Sequence, residues 1–134
     1  MELATAKLNN YRQSPRKVRV VANLIRGKKV EDAIASLKFL DKRAAEPIMV
    51  LLKSAVANAK NLNMNESDLL IKELTVNGGK ILYRRRPVSR GSAHTIHKRT
   101  SHISVVLEGK EAVQPEVKPK KAVKAVKVAK KIKK

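Results

Sequence analysis

Residues 69–107 read LLIKELTVNGGKILYRRRPVSRGSAHTIHKRTSHISVVL, and the architecture turns on them. The runs 69–77 and 100–107 each have the β-branched, alternating pattern of a strand, with Ile103, Val105 and Leu107 sharing one face. About 22 residues separate the two runs, far more than the two to five of an ordinary hairpin loop. Either the strands run on into a long two-stranded arm, spanning about 78–100, or a structureless loop joins them. Ile81, Leu82, Tyr83, Val88 and Ile96 are too few apolar residues to give such an arm its own core. It needs an outside surface to hold it. From Leu74 through Leu107 there is no Asp or Glu, while Lys80, Arg84, Arg85, Arg86, Arg90, Lys98 and Arg99 fall inside the stretch. Positive charge this unrelieved repels itself, and a nucleic-acid backbone is the polyanion of matching charge density.

Working outward toward the N-terminus, residues 3–12 alternate loosely through Ala4, Ala6 and Leu8 and suggest a modest strand. Ser14-Pro15 then predicts a helix start. The Ser side chain can accept from a free N–H of the first turn, and Pro15 has the φ wanted at the first helical position. Val18, Val21, Ala22 and Ile25 follow at one-face helical spacing, and Gly27 stands where a left-handed residue would stop the helix. Its outer face carries Arg16, Lys17, Arg19 and Arg26. A second helix is expected over 30–40, with Val30, Ala33, Ile34 and Leu37 inward and Glu31 and Asp32 favourably placed at its N-terminus. A third is expected to reach about Asn61, with the stripe Ile48, Leu51, Leu52, Ala55, Ala59 and Leu62. If Asp41 caps it, Pro47 lies too deep. Either the helix kinks there or its regular part begins near Glu46.

The 134 residues carry a formal net charge of +20, of which the Lys-rich segment 110–134 supplies +8, leaving +12 on the preceding residues. One domain of about 1–109 and a tail of 110–134 are therefore expected, with the domain basic in its own right. The tail contains almost only Lys, Ala, Val, Pro, Glu and Gln. That composition reads as low-complexity and disordered when free, with a weak helical period through Ala122, Ala125, Val126 and Ala129. The absence of Cys excludes disulfides, thiolate metal sites and cysteine nucleophiles. Tyr11, Phe39 and Tyr83 are the only aromatics, which argues against a fold that binds RNA on rows of stacking rings. No apolar run approaches a membrane span, and the start MELATAKLNNY lacks a signal-peptide pattern, so a cytoplasmic setting is expected without a membrane partner.

Candidate chemistry is confined to binding. His94, His97 and His102 contain an HxxH, but no cysteine or carboxylate lies nearby to complete a zinc shell, so contact with bases or phosphates is the better reading. No serine has a His–carboxylate arrangement around it, and the carboxylates sit at helix starts and turns. The chain therefore reads as a non-enzyme that needs no cofactor. The expected RNA-binding set is Arg12, Arg16, Lys17, Arg19, Arg26, Lys28, Lys80, Arg84, Arg85, Arg86, Arg90, His94, His97, Lys98, Arg99, Thr100 and His102. Guanidinium groups lead it because they pair with phosphate oxygens bidentately.

Three stretches together resemble the bacterial large-subunit ribosomal protein L-twenty-two family: SPRKVRVVANLIRGKKVEDAIASLKF, AAEPIMVLLKSAVANA, and the run from Arg84 to His102 ending in KRTSHISVV. The resemblance covers about residues 3–108. It implies an α+β fold, three helices packed on a small antiparallel sheet with a long protruding β-hairpin arm, to which this chain adds the basic C-terminal tail. It also implies a structural component of the large ribosomal subunit that binds rRNA and aids assembly. The hairpin would line the nascent-peptide exit tunnel, with Val88, Ser89, Arg90, Gly91, Ser92 and Ala93 at the tunnel-facing tip. The implied partners are large-subunit rRNA, neighbouring ribosomal proteins and the nascent peptide, with no homo-oligomer. This chain carries Val88 and Ser92 where Arg is common in the family. The competing reading is a histone-like nucleic-acid-compacting protein, suggested by the Lys/Ala/Val composition of the tail.

Overall fold

A computed structural model describes residues 2–109 of the chain. Expectations for 110–134 lie outside the described residues. In chain order the elements are strand β1 (Glu2–Tyr11), helices α1 (Pro15–Ile25), α2 (Val30–Lys38) and α3 (Ala45–Asn61), and strands β2 (Leu70–Gly78), β3 (Leu82–Pro87), β4 (Ala93–Lys98) and β5 (Ser101–Gly109). The fold is α+β, as the resemblance implied. β5 is the centre of a three-stranded antiparallel sheet of order β1-β5-β2, while β3 and β4 pair only with each other.

Alternation builds the core. On β5, Ser101, Ile103, Val105 and Leu107 are buried while His102, Ser104, Val106 and Glu108 on the other face are half-buried. Ala4 and Ala6 on β1, with Ile71, Leu74 and Val76 on β2, complete the inward face. Helices cover it: α3 packs across β1, α1 across β2, and both reach β5. Small residues set the α3–β1 spacing. Ala55 and Ala59 are fully buried, and the Asn58 side chain donates from Nδ2 to the Thr5 carbonyl at 2.9 Å.

Two start signals work differently from expectation. Ser14 is the residue before α1, and its carbonyl accepts from the N–H groups of Lys17 and Val18, but its hydroxyl makes no capping bond. Pro15 alone supplies the preset first turn. Asp41 does not cap α3; Ala44 precedes the helix, and Pro47 falls at its third position. The first four N–H groups of a helix have no internal acceptor, so a missing one there costs nothing. The helix thus begins close to Glu46 and needs no kink. Leu62, expected in the buried stripe, is the residue after α3 and is 45% exposed.

The sheet's β2 edge is covered locally. Gly27, at φ +74°, turns the chain out of α1 and donates its N–H to the Ile71 carbonyl. Ile71 in turn donates to the Lys28 carbonyl, and Val30 donates to that of Leu69. This pairing blunts an edge that would otherwise present free strand groups.

Candidate nucleic-acid interface

Between β2 and β5 the two legs of the chain run on as a hairpin, interrupted only at residues 79–81 and 99–100. Of the two sequence-level alternatives, this is the two-stranded one. Its ladder pairs Leu82 with Lys98, Tyr83 with His97, Arg84 with Ile96, Arg85 with Thr95, Arg86 with His94 and Pro87 with Ala93. Opposed residues share a face, so Arg84, Arg86, His94 and Lys98 stand on one side, and Tyr83, Arg85, Thr95 and His97 on the other. The first side carries three permanent cations against one on the second. Every β3 and β4 side chain beyond Leu82 is exposed. Tyr83 meets His97 edge to face, with centroids 4.9 Å apart, which gives the hairpin its one internal aromatic contact.

At the tip, Arg90 and Gly91 both take left-handed backbone conformations, φ +58° and +74°. The non-glycine Arg90 costs about 1 kcal/mol there. The turn is held by Val88 N–H to the Ser92 carbonyl at 2.9 Å, and by the Ser92 hydroxyl and N–H to the Ser89 carbonyl at 2.9 and 3.4 Å. The Ser92 side chain is thus spent on the turn itself. Val88, Ser89, Arg90, Gly91, Ser92 and Ala93 are all exposed.

At the hairpin's root an open cleft of about 790 Å³ is lined by Arg12, Gln13, Ser14, Lys17, Arg43, His97, Lys98 and Arg99. Three separate segments meet there: the turn after β1 with the start of α1, the α2–α3 loop, and the end of β4. None of the lining residues is acidic, so five permanent cations share the cleft without internal neutralisation. Such concentration of one sign in a concave surface focuses the field toward an anionic ligand. Gln13 Oε1 is buried and unpartnered.

Not all sequence candidates converge here. Arg16 is exposed on α1, Lys28 on the α1–α2 loop, and Lys80 on the hairpin root. Arg19 donates from Nε and Nη2 to the Val76 carbonyl at 3.1 and 3.0 Å, and Arg26 from Nη2 to the Leu74 carbonyl at 2.8 Å. Those two guanidinium groups hold α1 against the β2 edge. Thr100 is buried, with its hydroxyl on the Lys80 carbonyl at 2.7 Å. His102 is half-buried in β5 and accepts the Asn10 N–H at Nδ1, 3.3 Å away. His94 and His97 stand on opposite hairpin faces, so the HxxH pattern does not converge, and among the described residues no His, Cys, Asp and Glu group could hold a metal. Gln13, Ser14 and Arg43 are cleft residues outside the sequence-derived set, and Arg43 is the one cation among them. Nothing local distinguishes it from Lys42.

Comparison with known proteins bears on the same residues. A family model described as ribosomal protein L22p/L17e matches residues 6–108. Among similar proteins, a large ribosomal subunit protein uL22 from Christiangramia forsetii is 49% identical over 110 residues, covering 79% of this chain and 82% of the relative. The uL22 of Caldicellulosiruptor saccharolyticus is 53% identical over 109 residues, covering 81% and 89%. That of Mycoplasma capricolum subsp. capricolum is 54% identical over 105 residues, covering 78% and 95%. Among the described residues no helix is long and apolar enough to cross a membrane.

Proposed function

The chain belongs to the ribosomal protein L22p/L17e family, and from that premise we propose that it is a non-enzymatic component of the large ribosomal subunit that binds rRNA through the root cleft and the hairpin. The observation that carries the rRNA reading is the convergence of Arg12, Lys17, Arg43, Lys98 and Arg99 in one acid-free cleft continuous with the hairpin. Each cation that meets a phosphate releases condensed counterions, and this supplies affinity without reading base sequence. Shape then selects the site. A two-stranded arm with exposed side chains on both faces has no protein core of its own, so RNA packed on both sides is the surface that holds it.

In this reading the body seats on the subunit surface and aids assembly by bridging rRNA segments, one on the cleft and others along the arm. The exposed tip, from Val88 to Ala93, reaches the wall of the nascent-peptide exit tunnel. Neighbouring ribosomal proteins and the nascent peptide are its remaining partners. Lys80, Arg84, Arg85, Arg86, Arg90, His94, His97 and Lys98 act along the arm, with Arg16 and Lys28 as outlying phosphate contacts. Arg19, Arg26, Thr100 and His102 serve chiefly to hold the scaffold, since each has at least one side-chain polar atom hydrogen-bonded within the protein.

The test is to pellet ribosomes through a high-salt cushion and quantify this protein in the separated subunits. Stoichiometric retention on the large subunit is expected. Release into the supernatant, with equal affinity for rRNA fragments and random duplex DNA, would overturn the proposal.

A further inference from the structure

Phe39 is 90% exposed, well beyond the next large apolar side chain, Val20 at 67%. Single exposed apolar residues are ordinary on protein surfaces, so exposure alone decides nothing. Its setting does. The chain has three aromatic residues, and the other two are engaged within the protein: Tyr11 through its hydroxyl on the Arg43 carbonyl, and Tyr83 against His97. Phe39 alone touches neither core nor partner ring.

The loop that displays it is not frayed. Phe39 closes α2 in helical conformation, with its N–H on the Leu37 carbonyl. Leu40 donates to Leu37, Lys42 to Leu40 at 2.8 Å and Ala45 to Lys42 at 2.8 Å, while Tyr11 fixes the far end. An aromatic ring on a backbone ordered in advance loses little freedom when a ligand covers it. Lys38, Lys42 and Arg43 flank it, all exposed, with Asp41 as the one acid. Arg43 also lines the root cleft. Four residues of chain span at most about 14 Å, so a strand whose phosphates fill the cleft passes within a few nucleotides of the ring.

Resting on the RNA-binding reading above, we infer that Phe39 is a base-stacking site: an unpaired RNA base lies on its ring while Lys42 and Arg43 hold adjacent phosphates. Cations beside an exposed ring select a polyanion that also carries π-faces, and single-stranded RNA is that ligand. An apolar protein surface would leave Lys38, Lys42 and Arg43 without counter-charges.

The chain contains no Trp, so Phe39→Trp places a single reporter at the site. The full chain carrying it is titrated at low salt with oligo(A) RNA and with an abasic oligoribophosphate of equal length, binding being followed independently by anisotropy. Quenching of the indole by oligo(A) and not by the abasic strand is expected. Phe39→Ser should bind oligo(A) about tenfold more weakly, bind the abasic strand unchanged, and melt like the parent because the ring supports no core. Unchanged emission on bound oligo(A) would overturn the stacking site while leaving the cationic reading intact. A blue shift seen only with proteins stripped from the large subunit would overturn it in favour of a protein neighbour. Failure of the parent chain to bind either strand would remove both readings together.

Discussion

The Thr100 hydroxyl donates a 2.7 Å hydrogen bond to the Lys80 carbonyl and so joins the two legs of the hairpin at its base. Thr100 is 5% exposed, and its own carbonyl accepts the Gly79 N–H at 2.9 Å. These two bonds bridge the gap where the β3–β4 ladder stops and the β2–β5 ladder has not begun. Thr100→Val keeps the shape and removes the donor, leaving the Lys80 carbonyl unsatisfied. A loss of about 1 kcal/mol is expected in urea unfolding, with faster amide exchange in β3 and β4 than in β5. Equal acceleration in all three strands would mean that Thr100 supports the fold at large and not the hairpin root.

Gly79 has no room for a side chain. A Cβ there would lie 2.5 Å from Thr100 Oγ1 and 2.8 Å from His102 Nε2. Neither neighbour is free to yield, because the hydroxyl is bound to Lys80 and the imidazole to the Asn10 N–H. Gly79→Ala should destabilise by about 1–3 kcal/mol through overpacking. Pairing it with Thr100→Ala removes one clash, so the double variant should lose less than the two single losses added together. Strict additivity would show that the clash is relieved by backbone movement instead.

Arg19 and Arg43 look alike in sequence and have opposite tasks in the structure. Arg19 spends two donors on the Val76 carbonyl, whereas the Arg43 side chain faces the cleft. Arg19→Lys keeps the charge and loses the fork, so stability should fall by about 1 kcal/mol while the salt dependence of RNA binding stays as it was. Arg43→Gln should reverse the pattern: stability holds, and the slope of log K against log salt shrinks by about 0.7–0.9. Titrations of an rRNA fragment at several KCl concentrations, beside urea melts, read both. An Arg43→Gln slope equal to the parent's would remove that side chain from the phosphate contacts.

This contrast marks where the sequence becomes silent. Helix and strand faces were readable because a fixed period fixes a face: Val18, Val21, Ala22 and Ile25, like Ile103, Val105 and Leu107, are all buried as their spacing requires. Between the last two sheet strands, the residues themselves left a two-stranded arm and a structureless loop both open, and the β3–β4 ladder decides between them. The cleft was not readable, since it forms only when three segments distant in sequence meet, and no local pattern separates Arg43 from Lys42 or tells Arg19 from Arg16. Asp41 failed as a cap for a related reason. The loop before α3 is fixed by its own turns, Lys42 to Leu40 and Ala45 to Lys42, which move the helix start past the residue that propensity favours.

Tyr11 ties the cleft's outer wall to β1, and its titration offers a pH-dependent check of that tie. The hydroxyl donates to the Arg43 carbonyl at 3.1 Å. Burial raises its pKa above the ordinary value of 10.0, Arg43 opposes this, and Glu46 adds to it. The folded chain thus holds the phenol proton more tightly than the unfolded chain does. The resulting stabilisation is fully present below the unfolded pKa near 10 and is lost as pH rises through the higher folded value. Tyr11→Phe lacks both the bond and the proton. At pH 8 it should be less stable than the parent by about 1 kcal/mol. Every other ionisable group is common to the two proteins, so the difference between them isolates Tyr11. Urea midpoints measured from pH 8 to 11 should show that difference narrowing above pH 10. Equal midpoints for the two proteins at pH 8 would mean that Tyr11 contributes through packing alone and that its hydroxyl does not anchor the Arg43 loop. A gap that stays constant up to pH 11 would mean that the folded chain does not hold the phenol proton more tightly.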